Sequence, residues 1–122
     1  MNKIIIKSED IVLDLPVRFL DTTTAKKIIE KLPIESKAEI WGDEIYFDTG
    51  ISVPIEKATT DVNVGDVAYW PEGKCLCIFF GRTPLSVSDK PVPASEVVIV
   101  GKVSMEPDLL KKVTSGAIVK VK

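Results

Sequence analysis

The residues able to do chemistry crowd around the aromatic ones. Glu44, Asp48, Glu56, Asp66 and Glu72 are the carboxylates nearest Trp41, Tyr46, Trp70 and Phe80. Acids in that company could form a paired-carboxylate hydrolase or hold a hard metal ion. As strand-end and turn residues they are equally suited to plain solvation. Arg82 follows an aromatic run and precedes Thr83 and Pro84. A guanidinium there could bind a carboxylate or phosphate through a fork of hydrogen bonds, or tie down a loop through an ion pair with Glu44 or Glu56. Cys75 and Cys77 are two apart on a predicted strand, so both face one side of it. No third cysteine exists to complete a metal site or a well-placed disulfide. They read as small buried hydrophobes, reduced and without metal.

Absences narrow the chemistry further. The chain has no histidine, which removes the commonest general base and zinc ligand. A Ser or Thr nucleophile would need a lysine or carboxylate base, and no spacing singles one out. There is no glycine-rich phosphate loop or nucleophile elbow. The 16 basic and 18 acidic residues nearly cancel, and no basic face for nucleic acid is visible. No apolar run is long enough to cross a bilayer, and the start at Met1 turns polar too soon for a signal peptide. The expectation is a soluble cytoplasmic protein, without cofactor or metal, that binds neither nucleic acid nor membrane. Glutamine is also missing, while Lys, Glu, Ile and Val abound, a composition typical of proteins from hot environments.

The elements that must position these residues follow from pattern. At 122 residues the chain is one domain spanning 1–122. Residues 3–7 and 10–15 read as an opening hairpin ended by Pro16. Asp21 to Thr24 offer N-caps for a helix whose apolar face is Ala25, Ile28, Ile29 and Leu32, stopped by Pro33. Strands are expected at 34–41 and 44–47 about the Gly42-Asp43 turn, then at 66–70, 75–80, 97–103 and 117–122. Residues 48–64, with Pro54, form a long excursion of binding-loop length, with short strand near 51–53. Residues 81–96 carry three prolines and read as loop. Pro107 suits the first turn of a short helix reaching Lys112. Many short strands with two helices indicate a closed, mainly β barrel.

Four segments carry a resemblance: residues 41–47, 65–84, 93–95 and 100–103. The second holds half of the eight aromatic residues and both cysteines. With them the chain resembles the small bacterial and archaeal cyclophilin-like proteins, over nearly its whole length. The resemblance implies a closed antiparallel eight-stranded cyclophilin-like barrel with two short capping helices. It does not carry the isomerase site of true cyclophilins. Those bind a proline-containing peptide on an outer barrel face and need an arginine, a glutamine, phenylalanines and a histidine. Prolyl isomerisation has a barrier of about 20 kcal/mol, which an arginine lowers by polarising the amide. Here the true-cyclophilin glycine-serine-glutamine-phenylalanine-phenylalanine motif corresponds to residues 73–77, with Cys75 for glutamine and Cys77 for the second phenylalanine. No arginine lies near Tyr46 and Phe47, where the catalytic one should fall.

The sequence thus predicts a barrel that binds a small molecule or peptide in an aromatic-lined cleft, without significant isomerase activity. The predicted site is Glu44, Tyr46, Trp70, Phe80 and Arg82, with the catalytic residues left open. Tyr46 and Phe47 must face opposite sides of their strand, as must Tyr69 and Trp70, so one of each pair leaves the core. Two alternatives stand beside this reading. One is an enzyme, either a divergent peptidyl-prolyl isomerase or an amide-processing activity, favoured if a cleft carboxylate has a strongly raised pKa. The other is an interaction module, favoured by a flat apolar patch without a cleft.

Overall fold

A computed structural model describes residues 2–53 and 55–122, so Met1 and Pro54 lie outside the described residues. Strand β1 (Asn2–Lys7) pairs antiparallel with β2 (Val12–Phe19), setting Ile4 against Leu15 and Ile6 against Leu13. These four side chains are buried, as period-two alternation requires. Pro16 does not end β2, contrary to expectation. Lys3, its partner, bonds to Lys122 instead, and β8 meets β2 only from Val17 onward. The missing N–H of Pro16 therefore faces an unpaired strand edge, where proline is tolerated.

Helix α1 (Thr23–Glu30) starts where the threonines predict. Thr22 accepts from the Ala25 amide at 3.1 Å, and the Glu56 carboxylate accepts from the Thr23 amide at 2.9 Å. Its buried face is Thr24, Ala25 and Ile28, whereas Ile29, expected inside, is exposed.

Strands β3 (Ile34–Lys37) and β4 (Glu39–Ile40) are two halves of one run, divided at Ala38. The first half pairs with β9 (Ile118–Val121) and the second with β5 (Glu44–Asp48). Between them lie β6 (Asp66–Trp70), β7 (Cys75–Phe79) and β8 (Val98–Val103), giving the order β3-β9-β1-β2-β8-β6-β7-β5-β4. The two edges of the nine-stranded sheet are thus consecutive pieces of chain, and the sheet nearly closes on itself. Counting the divided run once reconciles nine segments with the eight strands expected. No strand forms at 51–53, and helix α2 is only Pro107–Leu110.

The barrel interior is one apolar cluster to which Ala25 and Ile28 of α1 and Leu110 of α2 contribute. A bulge in β8 opposite Val67 and Ala68 resets its alternation. Val98, Val100 and Val103 consequently all point inward, while Lys102 reaches its cross-strand partner Asp66 in an ion pair. Tyr69 is also interior, and its hydroxyl donates to the Ile51 carbonyl, pinning the long excursion to the barrel. Among the described residues, no helix is long and apolar enough to cross a membrane.

Candidate functional site

Strands β5, β6 and β7 have a second face, turned away from the interior. Glu44 and Tyr46 of β5 stand opposite Phe79 and Cys77 of β7. Ala68 and Trp70 of β6 stand opposite Cys77 and Cys75. Ala68, Cys77 and Phe79, with Val62 and Val97, form a separate buried apolar cluster, against which Tyr46, Trp70 and Ile99 pack while half-buried.

Two loops raise walls over this floor. The Gly42-Asp43 turn joins β4 to β5, and Trp41 and Glu44 close it with reciprocal backbone hydrogen bonds of 3.0 and 3.2 Å. That pairing puts both side chains on one face. Gly42 has a positive φ of 60° and lies so close to the backbone of Arg82 and Thr83 that a Cβ there would sit 2.9 Å from both. The second wall is the proline-rich segment after β7. Thr83 Oγ1 donates to the Val92 carbonyl at 2.6 Å and Ser86 Oγ donates to the Lys90 carbonyl at 2.8 Å, so the loop is braced internally. It carries Pro93 and Ala94 across the outer face, where Trp70 Nε1 donates to Ser95 Oγ at 2.7 Å.

The result is a pocket of about 140 Å³ lined by Trp41, Glu44, Tyr46, Trp70, Cys77, Phe79, Pro93, Ala94 and Val97. The rings of Tyr46 and Trp70 meet edge to face, 6.4 Å between centroids and 81° between planes. Trp41, Tyr46 and Trp70 are each half-exposed, as walls of an open site would be. The polar feature of the floor is Glu44, only 6% exposed. Burial pushes its carboxyl from 4.5 up to about 7, partly opposed by a hydrogen bond from the Cys77 thiol. Cys77 in turn is raised well above its ordinary value by burial and then by Glu44, and burial lifts Cys75 to about 11. Both thiols are free and buried, which leaves them poor nucleophiles. No group of three or more metal-ligating side chains occurs among the described residues.

Of the predicted site residues, the structure brings together Glu44, Tyr46 and Trp70, and adds Trp41 from the wider aromatic set. Two lie elsewhere. Phe80 follows Phe79, so strand alternation sends it into the barrel interior, where it is 3% exposed. Phe79 takes the pocket floor in its place, a position foreseeable by extending the shared face of Cys75 and Cys77 by two more residues. Arg82 is exposed, and its Nη2 donates weakly to the Ser86 carbonyl at 3.4 Å. It meets neither of its expected acidic partners, since Glu44 is paired with Cys77 and Glu56 caps α1. Asp66, another of the acids considered, is held by Lys102 and accepts from the Asn63 amide at 2.8 Å. Pro93, Ala94 and Val97 carried no chemical signal of their own; a loop closing over a sheet face is visible only in three dimensions.

Comparison with known proteins agrees with this architecture. The solution structure of a hypothetical protein from Archaeoglobus fulgidus is 41% identical, with a TM-score of 0.74 over 98% of this chain and 92% of that one. No curated protein matches. The family described as cyclophilin-like matches residues 2–122. The chain therefore belongs to the cyclophilin-like family.

Proposed function

We propose that this barrel binds a small molecule, or one side chain of a peptide, in the outer pocket and does not catalyse prolyl isomerisation to a significant extent. The observation that carries the reading is the convergence of three half-exposed aromatic rings on one buried carboxyl. Ligand sites pair apolar walls with few polar groups in this way. At about 140 Å³ the pocket suits a fragment or single side chain, since drug-sized ligands occupy roughly 300–1,000 Å³. A cleft with charged and aromatic walls favours ligand binding over an interaction module built on a flat patch.

The polarity of the pocket argues against the isomerase. Among the described residues, no cationic side chain lines it, and its charge-bearing floor is an acid. Once ionised, a carboxylate repels a developing oxyanion where an arginine would stabilise it. A protease-coupled assay on a proline peptide should give no rate above the uncatalysed one, and a rate comparable to that of an ordinary cyclophilin would refute this part. Binding is directly readable because both tryptophans of the chain line the pocket. A neutral fragment library should yield hits that shift tryptophan emission in the wild type and bind more weakly, with a smaller shift from the remaining Trp41, in Trp70→Phe. A library without such hits would refute the binding reading.

One observation favours an enzyme as the second reading. A carboxyl near 7 is poised to give and take protons at neutral pH. The same fragment hits, incubated with the protein and analysed for turnover, separate binder from catalyst.

A further inference from the structure

We propose that the pocket takes a small organic ammonium, its head group against Glu44 and between the rings of Trp41, Tyr46 and Trp70. This rests on the reading of the pocket as a ligand site and names the class of ligand. Two alternative classes fail on the same wall. An anion would meet Glu44 with no cationic side chain among the lining residues to offset it. A wholly apolar ligand would close off a carboxyl that is already buried and has a thiol as its hydrogen-bond partner, offering it no polar contact in return. A cation does the opposite, because it supplies the counter-charge Glu44 lacks. The six ion pairs found among the described residues all involve other acids.

The rings strengthen the assignment. Indole and phenol faces carry negative potential and attract ammonium groups, most strongly where water is excluded. Tyr46 and Trp70 stand nearly perpendicular, making two walls of a corner, with Trp41 brought alongside Glu44 by their turn. The surrounding field has the same sign. Glu39 lies directly across from Tyr46 and, with Glu44, raises the phenol's pKa, though less than burial does. The titratable groups that face Glu44 from the packed strands are Cys77, Cys75 and Tyr46, none of them cationic at neutral pH. The ammonium charge therefore has no competitor inside the pocket.

A linkage follows. An ammonium favours the ionised form of Glu44, so binding should release a proton near neutrality and tighten as pH rises from 6 through about 7. The probes are choline and n-butylammonium, each beside its neutral isostere, 3,3-dimethyl-1-butanol and n-pentane. They are titrated by tryptophan emission at pH 8 and pH 5.5, and by calorimetry in two buffers of different ionisation enthalpy. At least one ammonium should bind tenfold or more tightly than its isostere at pH 8, lose most of that margin at pH 5.5, and release a fraction of a proton. Glu44→Gln should abolish the margin; if that variant does not fold, the proton release and pH margin in the wild type decide alone. If neither ammonium binds better than its isostere, the inference is overturned. Neutral fragments that still report through Trp70 would leave the pocket reading intact, whereas silence from both classes removes both.

Discussion

On strands β5, β6 and β7, alternate side chains have two destinations. Ile45, Phe47, Val67, Tyr69, Leu76 and Ile78 go inward to a continuous apolar interior. Glu44, Tyr46, Ala68, Trp70, Cys77 and Phe79 go outward to a smaller cluster with an open mouth. The inner residues are at most 2% exposed, and Tyr69 spends its one polar atom on the Ile51 carbonyl. The outer set keeps its largest rings half-buried, with an open side, and buries an acid beside them. Burying that acid opposes folding, and nothing in the barrel's closure requires it. A buried ionisable group whose pKa is displaced, lying in a cleft, marks the face where function resides. The inner face makes the barrel; the outer face uses it.

The two faces part most visibly at the consecutive pair Phe47 and Tyr46. Phe47→Ala empties a fully buried ring's volume and should cost about 3–5 kcal/mol in urea unfolding. Tyr46→Ala, one residue away, should cost distinctly less while removing a pocket wall and the fragment response. Equal losses at the two positions would mean the outer cluster is as structural as the inner one.

Glu44→Gln should produce the next largest effect, visible in pH dependence. The folded carboxyl holds its proton more tightly than the unfolded one. The stability this contributes is complete below about pH 4.5 and is lost as pH rises through about 7. The displacement corresponds to a loss of up to about 3 kcal/mol between those limits. The Gln variant should be flat there, gaining on the wild type between about pH 4.5 and 7 and holding that advantage above. Identical pH profiles for the two proteins would show that Glu44 keeps its ordinary value.

Much of this division was legible in the sequence. Alternation alone required that Tyr46 and Phe47 part company, as must Tyr69 and Trp70, and the Gly42-Asp43 turn put Trp41 beside Glu44. What stayed hidden were quantities set by neighbours. Pro16 looked like a strand end because its unpaired outer edge depends on where β8 stops. Ile29 fits the helical apolar face, but α1 meets the barrel through Thr24, Ala25 and Ile28. Phe80 and Arg82 lie near the site residues along the chain, but proximity in sequence says nothing of the side of the sheet. Only the proline-rich loop folding back, with Ser95 accepting from Trp70, turns an outer face into a pocket.

Gly73 supports the outer face from beneath. A Cβ there would lie 2.6 Å from Trp70 Cζ3 and 2.7 Å from Cε3, so the ring rests directly on the β6–β7 turn. Gly73→Ala should tilt the indole, strain its bond to Ser95 and cost about 1–2 kcal/mol, as overpacking does. The diagnostic readout is tryptophan emission together with fragment affinity, since the inner face is untouched. An unchanged spectrum and unchanged binding would mean the β6–β7 turn gives way while the ring keeps its place.

The smallest effect belongs to Arg82. Its side chain is exposed, and its one hydrogen bond, 3.4 Å to the Ser86 carbonyl, is at the weak end of the range. The loop it sits on is braced instead by Thr83 and Ser86, whose bonds are 2.6 to 2.9 Å. Arg82→Ala should therefore shift stability by no more than about 0.5 kcal/mol, and it should leave the fragment response at Trp70 unchanged. The control is Thr83→Ala, which removes the buried hydroxyl that holds the Val92 carbonyl. That variant should loosen the segment carrying Pro93 and Ala94 and weaken binding. If Arg82→Ala weakens binding while Thr83→Ala does not, the mouth of the pocket reaches further along this loop than its lining residues indicate. The contrast would then lie between one buried face and an outer surface extended by an exposed guanidinium, and Arg82 would belong to the site.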